Sequence, residues 1–380
     1  MRPLERIKVI ELAGLAPTPY CGMILADFGA DVVIVDRLIK DATKTSSVMS
    51  KNPFDRGKRS MRTDLKTEQG IGIIRRMISI SDVLLDPYRP GVMENLGLGP
   101  EDVMKVNPKL IYARLTGWGQ SGPWAQMAGH DINYIALSGA LSLFRRKGEK
   151  PLPPCNLLGD FAGGGMLCTI GILLALLERA TSGEGQVVDA AMLDGAASLS
   201  TLFYGLLANR LMTLDIGTNR LDGGAPFYQT YETLDGKYMA VGAIEGRFYV
   251  QLLEGLEIDP ASLPSQDDVK KWPEIKLRFS HVFKTRRRDE WTAIFEGKDA
   301  CVTPVLELDE VGKHPHNRQR KLLVSVDGVP QPAPAPRLSR TPGRVAKGGG
   351  SRGSNTRDIL VELGYTTEEI GYLFNGEIVE

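Results

Sequence analysis

Two β-rich runs, Ile7 to Glu11 and Asp31 to Val35, enclose an amphipathic helix that Thr18-Pro19 opens and Gly29 closes. Strand, helix and strand in about thirty residues imply a right-handed parallel crossover, because an antiparallel return needs only a hairpin. The alternation continues through a helix from about Thr67 to Ser79, a strand at Val83 to Leu85, a helix opened by Pro100 and a strand at Leu110 to Leu115. A helix after Asp160, a strand at Gln186 to Ala191 and a helical connector to about Leu211 complete the series. The expected fold class is α/β, with a Rossmann-like open parallel sheet as the large domain.

The pattern changes after Gly223-Gly224. Phe227 to Leu234 and Lys237 to Ala243 alternate with period two about an Asp235-Gly236 turn, which predicts a hairpin opening a smaller α+β domain. The expected organisation is a large domain over 1–190, a helical linker over 191–226 and the small domain over 227–305. A Pro/Gly-rich return linker over 306–357, crossing or partly disordered at 328–357, then leads to C-terminal helices over 358–380 that pack on the large domain. In the last of these, Thr366 and Glu369 have the spacing of a capping box.

Composition excludes several function classes. Lys+Arg and Asp+Glu are 46 each, so no global field draws in nucleic acid or an anionic membrane, and an anionic ligand needs local positive charge. The four cysteines, Cys21, Cys155, Cys168 and Cys301, lack metal-ligand spacing, so no metal site is expected. Most sit in apolar sequence and read as reduced, buried thiols. The apolar run from Met166 to Leu177 is too short to span a bilayer and reads as a buried helix. Met1 to Arg6 leaves no room for a leader, and Ile378-Val379-Glu380 is not a peroxisomal address. The expected compartment is intracellular, mitochondrion or cytoplasm, with the peroxisome left open.

Chemistry concentrates in Gly129-His130-Asp131 and, thirty residues on, Gly159-Asp160-Phe161-Ala162 with Gly163 to Gly165. His130, one of only four histidines, lies in a Gly-rich stretch where a side chain can meet a substrate. Asp160 precedes a long apolar run, where it is expected to cap a helix whose first-turn amides point beside it. Those amides, from Phe161, Ala162 and the glycines, can stabilise an enolate oxygen. A histidine and an aspartate placed this way suit two proton transfers at one carbon. Glu245 is a solvated loop acid unless it orients His130 across a domain cleft.

For an anionic ligand, Asp36-Arg37 ends the second strand, where dinucleotide folds contact ribose or phosphate, but the first crossover lacks Gly-x-Gly-x-x-Gly. Arg56, Lys58, Arg59, Arg62 and Lys66 form a basic run, and Arg89 follows the third strand. The run is either a solvated surface or, with Arg37 and Arg89, a phosphate-holding rim.

Ile10-Glu11-Leu12-Ala13-Gly14, Ala26-Asp27-Phe28-Gly29-Ala30, Arg56-Gly57-Lys58-Arg59-Ser60, Asp64-Leu65-Lys66, Gly129-His130-Asp131-Ile132-Asn133-Tyr134 and Gly159-Asp160-Phe161-Ala162-Gly163-Gly164 resemble the family III CoA-transferase superfamily. Within it they are similar to the α-methylacyl-CoA racemase branch, densely over residues 4 to about 326. The resemblance implies an interlocked homodimer, an acyl-CoA thioester substrate, and no cofactor beyond the CoA that is part of that substrate. It implies that His130 and Asp160 transfer protons and that Glu245 supports His130. It places CoA-thioester contacts at Arg37, Lys58, Thr63, Asp64, Leu65, Lys66, Arg89, Gly129, Asp131, Ile132, Asn133 and Tyr134.

A thioester α-proton is weakly acidic, so its removal needs a positioned base and stabilisation of the enolate. Neutral His130 takes the proton from one face while protonated Asp160 supplies one to the other. The expected activity interconverts (2R)- and (2S)-2-methylacyl-CoA in branched-chain fatty acid and bile-acid-intermediate metabolism. A CoA-transferase with Asp160 as nucleophile is the nearest alternative, discriminated by His130. An NADP-linked dehydrogenase lacks its glycine fingerprint, and a non-catalytic CoA-binding protein leaves the His/Asp pair without a purpose.

Overall fold

The computed structural model describes residues 2–38, 52–345 and 347–380, so the Met1 end of the N-terminal stretch read for a leader and Ala346 of the linker lie outside the described residues. The chain forms two compact units, one of Met1–Ser138, Cys155–Leu199 and His316–Glu380, the other of Gly139–Pro154 and Ser200–Pro315.

The first unit is built on six parallel strands in the order β3-β2-β1-β4-β5-β6. They are β1 (Lys8–Leu12), β2 (Asp31–Asp36), β3 (Arg59–Arg62), β4 (Val83–Asp86), β5 (Ile111–Thr116) and β6 (Val187–Ala191). The crossovers carry α1 (Pro17–Asp27), α2 (Glu68–Ser79), α3 (Val92–Asn95), α4 (Pro100–Val106) and α5 (Asp131–Leu137). A π-helical segment, Leu157–Met166, runs into α6 (Leu167–Ser182), and β6 leads into α7 (Met192–Leu199). The reversal of strand order between β1 and β4 opens a crevice at the strands' carboxyl ends, where ligands bind in such sheets.

Strand periodicity divides the core between the two faces of the sheet. Ile10, Leu12, Val33, Val35, Leu84 and Tyr112 point to one side, where α13 (Thr356–Glu362) and α14 (Thr367–Asn375) add Ile359, Leu360, Ile370 and Leu373. Val9, Val32, Val83, Leu85, Ile111 and Ala113 point to the other, against α1 and α6. The capping box expected before α14 is present, with Thr366 Oγ1 accepting from the Glu369 amide and Glu369 Oε2 from the Thr366 amide.

The second unit holds α8 (Thr201–Ala208) and an antiparallel sheet of β7 (Tyr228–Glu232), β8 (Tyr238–Gly242) and β9 (Val302–Pro304), with Gly236 at φ 72° in the turn. Three helices, α9 (Gly246–Gly255), α10 (Trp272–Phe283) and α11 (Arg288–Phe295), bury Tyr249, Trp272, Phe279, Phe283 and Trp291 against this sheet. The chain returns through α12 (Pro315–Gln319) to a hairpin of β10 (Leu323–Val326) and β11 (Val329–Pro332), so part of the predicted linker is ordered sheet.

Four expectations need correction. Helix α1 is not amphipathic: apart from half-exposed Tyr20 and Ile24 it is buried all round, because the π-helical segment covers the side turned away from the sheet. The basic run is not one solvated surface, since it supplies edge strand β3. The apolar run is longer as a helix than as a run: Leu157–Ser182 passes for a membrane span by length and composition, the one such stretch among the described residues. Its outer face, with Ile170, Leu173, Leu174 and Leu177, is exposed rather than buried. A single such helix is weak evidence of a span, and this one begins among buried glycines packed on α1 and α7. Finally, of the cysteines only Cys21 and Cys168 are buried; Cys155 and Cys301 are exposed.

Candidate active site

His130 stands at the N-cap of α5 in an extended conformation (φ −130°, ψ 173°), with its side chain exposed. Its backbone amide donates to Asn133 Oδ1 at 3.0 Å, and its carbonyl accepts from the Asn133 amide at 2.8 Å. Tyr134, on the next turn of α5, packs edge-on to Trp118 at 4.7 Å and donates its hydroxyl to the Gly129 carbonyl. The glycine at 129 is required: a Cβ there would fall 2.7 Å from the Tyr134 ring. The turn that presents His130 is thus fixed from behind while the imidazole stays free to meet a substrate.

Asp160 is the fourth residue of the π-helical segment, within its first turn and not at its cap. Such segments concentrate at functional sites because their wider turn re-aims side chains. Asn156 Nδ2 donates to Asp160 Oδ2 at 2.9 Å. The amides of Gly159 and Asp160 both donate to Asp131 Oδ1, at 2.6 and 2.7 Å. The buried Asp131 therefore joins the His130 turn to the Asp160 turn. Burial pushes the Asp160 carboxyl above its ordinary value, and the Asp131 charge adds to this; Asn156 and His130 pull the other way.

The glycines after Asp160 allow close packing. A Cβ on Gly163 would lie 2.8 Å from the Ala196 amide nitrogen, and one on Gly165 would lie 2.5 Å from the Pro17 carbonyl oxygen. The Gly159 and Asp160 amides of this turn are given to Asp131; they are not among the donors expected for an enolate oxygen, which are the amides of Phe161, Ala162 and the glycines that follow. Asn156 escaped the sequence reading, although its place four residues before Asp160 was the available signal.

The remaining predicted residues separate into two sets. Arg37, Lys66 and Arg89 are exposed just beyond the carboxyl ends of β2, β3 and β4. Arg89 reaches the Gln126 carbonyl at 3.4 Å and lowers the Tyr134 phenol against burial and Asp160, which raise it. Arg37 does the same at Tyr88, against burial, Asp86 and Asp36. Ile132 and Asn133 are exposed on α5, while Gly129 and Leu65 are half-buried. The side chains of Asp131 and Tyr134 are buried and engaged, as is Thr63, whose hydroxyl donates to the Ile378 carbonyl at 3.2 Å. Half-buried Asp64 accepts from the Lys66 amide.

Lys58 is not on the rim. Its ammonium lies 2.6 Å from Glu11 Oε2 and 2.9 Å from the Pro19 carbonyl, with both side chains buried. Gly22 makes room for this pair, since a Cβ there would fall 1.8 Å from Glu11 Oε2. Arg56 is buried likewise, in a two-pronged contact with Asp27 at 2.6 and 3.0 Å. Arg59 pairs with Asp31 and Glu362. Glu245 belongs to the second unit, exposed at the N-cap of α9, where its carbonyl accepts from the Phe248 and Tyr249 amides.

The model of CoA-transferase family III matches residues 4–356. The chain belongs to this family. It is 53% identical over 380 residues to the alpha-methylacyl-CoA racemase of Mus musculus, covering 99% of this chain and 97% of the relative. It is 49% identical over 379 residues to the enzyme of the same name from Homo sapiens, at the same coverage. The succinyl-CoA:glutarate CoA-transferase of Homo sapiens is 28% identical over 406 residues, covering 100% of this chain and 90% of that one. Among solved structures, a CAIB/BAIF family protein from Brucella suis superposes with a TM-score of 0.83 at 26% identity, covering 95% of this chain and 99% of that one.

Proposed function

We propose that the chain is an acyl-CoA isomerase, a racemase interconverting (2R)- and (2S)-2-methylacyl-CoA by two-base 1,1-proton transfer through an enolate. The observation that carries this reading is the joining of the His130 and Asp160 turns through Asp131, in a chain about half identical over its length to proteins named racemases. In one direction neutral His130 removes the α-proton while protonated Asp160 delivers one to the opposite face. The reverse uses imidazolium and carboxylate, so both enzyme forms hold the same number of protons. Burial, which favours the protonated Asp160, suits a carboxyl that must act as an acid near neutrality.

In this reading Arg37, Lys66 and Arg89 hold the CoA phosphates at the carboxyl rim of the sheet. No metal or redox cofactor takes part. Proton abstraction next to a thioester needs none. The exposed leucines of α6 fit burial against a second copy in a homodimer. Branched-chain fatty acyl and bile-acid-intermediate thioesters are the substrates proposed, in an intracellular setting.

The rival is a family III CoA-transferase in which Asp160 attacks the thioester, forming an anhydride and then an aspartyl-CoA thioester. Relatives named CoA-transferases favour it. One epimer of a 2-methylacyl-CoA, incubated alone, should become a mixture of epimers. Adding a free carboxylate acceptor should move no CoA. Transfer to the acceptor, or a thioester trapped on Asp160, would replace the racemase with the transferase.

A further inference from the structure

We propose that Asp131 is a positioning residue that clamps the Asp160 turn onto the His130 turn and supplies the charge against which Asp160 works. The inference rests on the two-base reading of this site. Asp131 is 4% exposed, and its carboxylate makes two short contacts through one oxygen, Oδ1, to the amides of Gly159 and Asp160. The other oxygen, Oδ2, is buried with no hydrogen-bond partner. Gly159 lets this contact form, since a Cβ there would sit 2.6 Å from Asp131 Oδ1.

A clamp for two amides needs an oxygen but not a charge; an asparagine would serve as well. Burying a carboxylate with one oxygen unpartnered is costly, and placing it beside a second, half-buried carboxyl adds repulsion. A local account of stability therefore leaves the charge unexplained. The charge has a use if it acts on Asp160. The titratable groups facing Asp160 are His130 at the N-cap of α5 and Asp131 and Tyr134 within it, with neutral Asn156 just before the segment that carries Asp160; from α1, Tyr20 packs on the neighbouring Phe161 ring. Asp131 and burial favour the protonated carboxyl there, whereas Asn156 and His130 favour the carboxylate. Asp131 thus keeps Asp160 competent as a proton donor while its oxygen keeps the turn in place.

Asp131→Asn separates the two roles, because the amide oxygen can still accept from Gly159 and Asp160 while its NH₂ replaces an oxygen that has no partner. This variant should fold as the wild type does. The limb of its kcat/KM profile for epimerisation that reports the Asp160 carboxyl should move to lower pH, because that carboxyl loses a neighbouring negative charge. A ¹³C-carboxyl NMR titration of Asp160, assigned with Asp160→Asn, should move in the same direction without any turnover. Asp131→Ala, which removes the clamp as well, should lower kcat by about 100-fold with little change in KM, and Asp131→Asn should recover most of that loss. A profile and an Asp160 titration in Asp131→Asn that superimpose on those of the wild type overturn the proposal. Should the wild type fail to racemise, the racemase reading falls, while the Asp160 titration still decides the role of Asp131.

Discussion

The basic segment before β3 and the His130/Asp160 turns both bury charge, in opposite ways. Arg56 and Lys58 meet Asp27 and Glu11 in direct ion pairs, and the carboxylates' remaining cost of burial shows only as a rise at Asp27 and Glu11 that the cations oppose. Asp131 and Asp160 are held instead by neutral donors, two backbone amides and one asparagine. A buried charge facing its counter-ion locks structure in place. One held by neutral donors keeps its protonation open to change, and that is what proton transfer needs. Family motifs therefore divide: those around residues 11, 27 and 58 hold the sheet to α1, and those around 130 and 160 carry the proposed chemistry.

The largest effect expected on either side of this comparison is loss of turnover. His130→Ala and Asp160→Ala should each lose about 10³-fold or more in kcat, since one positioned acid or base contributes roughly 10² to 10⁴ and coupled ones more. Their denaturation midpoints should stay near that of the wild type. A large stability loss in either would make these residues structural and erase the distinction.

Lys58→Met should do the reverse. Stranding Glu11 without its partner should lower stability by about 3–5 kcal/mol, and adding Glu11→Leu should restore most of it, as measured by chemical denaturation. The KM for acyl-CoA should barely change. An increase in KM at unchanged stability would return Lys58 to the CoA rim.

Asp86 lies between the two cases. It is buried, yet Arg114 approaches it only at 3.5 Å and pairs mainly with Glu94 at 2.7 Å. Burial raises its carboxyl from 3.8 to about 6. A value raised on folding means that stability is fullest below about pH 4 and is lost as pH rises through about 6, by roughly 3 kcal/mol at 1.4 kcal/mol per unit. Asp86→Asn should therefore be more stable than the wild type at pH 7, with the advantage fading as pH falls to 4. Equal stability differences at both pH values would show that Asp86 is adequately paired.

The smallest effects belong to the rim. Arg37→Ala and Arg89→Ala should each weaken acyl-CoA binding by about 1–3 kcal/mol while leaving stability within about 0.5 kcal/mol. Loss of binding should fade with an acyl-pantetheine fragment, which lacks the nucleotide. Wild-type affinity in both variants would remove them from the CoA site.

Five of the six parallel strands were legible in the sequence because each is a short, mostly apolar run bounded by turn residues, and α1, α2 and α4 open at Pro or Thr; edge strand β3, Arg59–Arg62, is polar and was hidden in the basic run. The pairing of charges was not legible. Arg56 meets Asp27 from 29 residues away and Lys58 meets Glu11 from 47, so a basic run that is mostly interior reads locally as surface. Asp131 finds the Gly159 amide 28 residues on, and no local pattern distinguishes an inward carboxylate from a ligand contact. The full burial of α1 escaped for the same reason, since what covers its outer side comes from the Asp160 segment.

The proposed activity requires His130 and Asp160 to move protons at one carbon. Incubating the wild type with a single 2-methylacyl-CoA epimer in deuterated water reads this directly, by mass spectrometry of the α-position alongside chiral analysis. Deuterium should enter the α-carbon as the starting epimer converts to a mixture, and epimerisation should cease in Asp160→Ala. Conversion of the epimer without incorporation of solvent deuterium would contradict the two-base account.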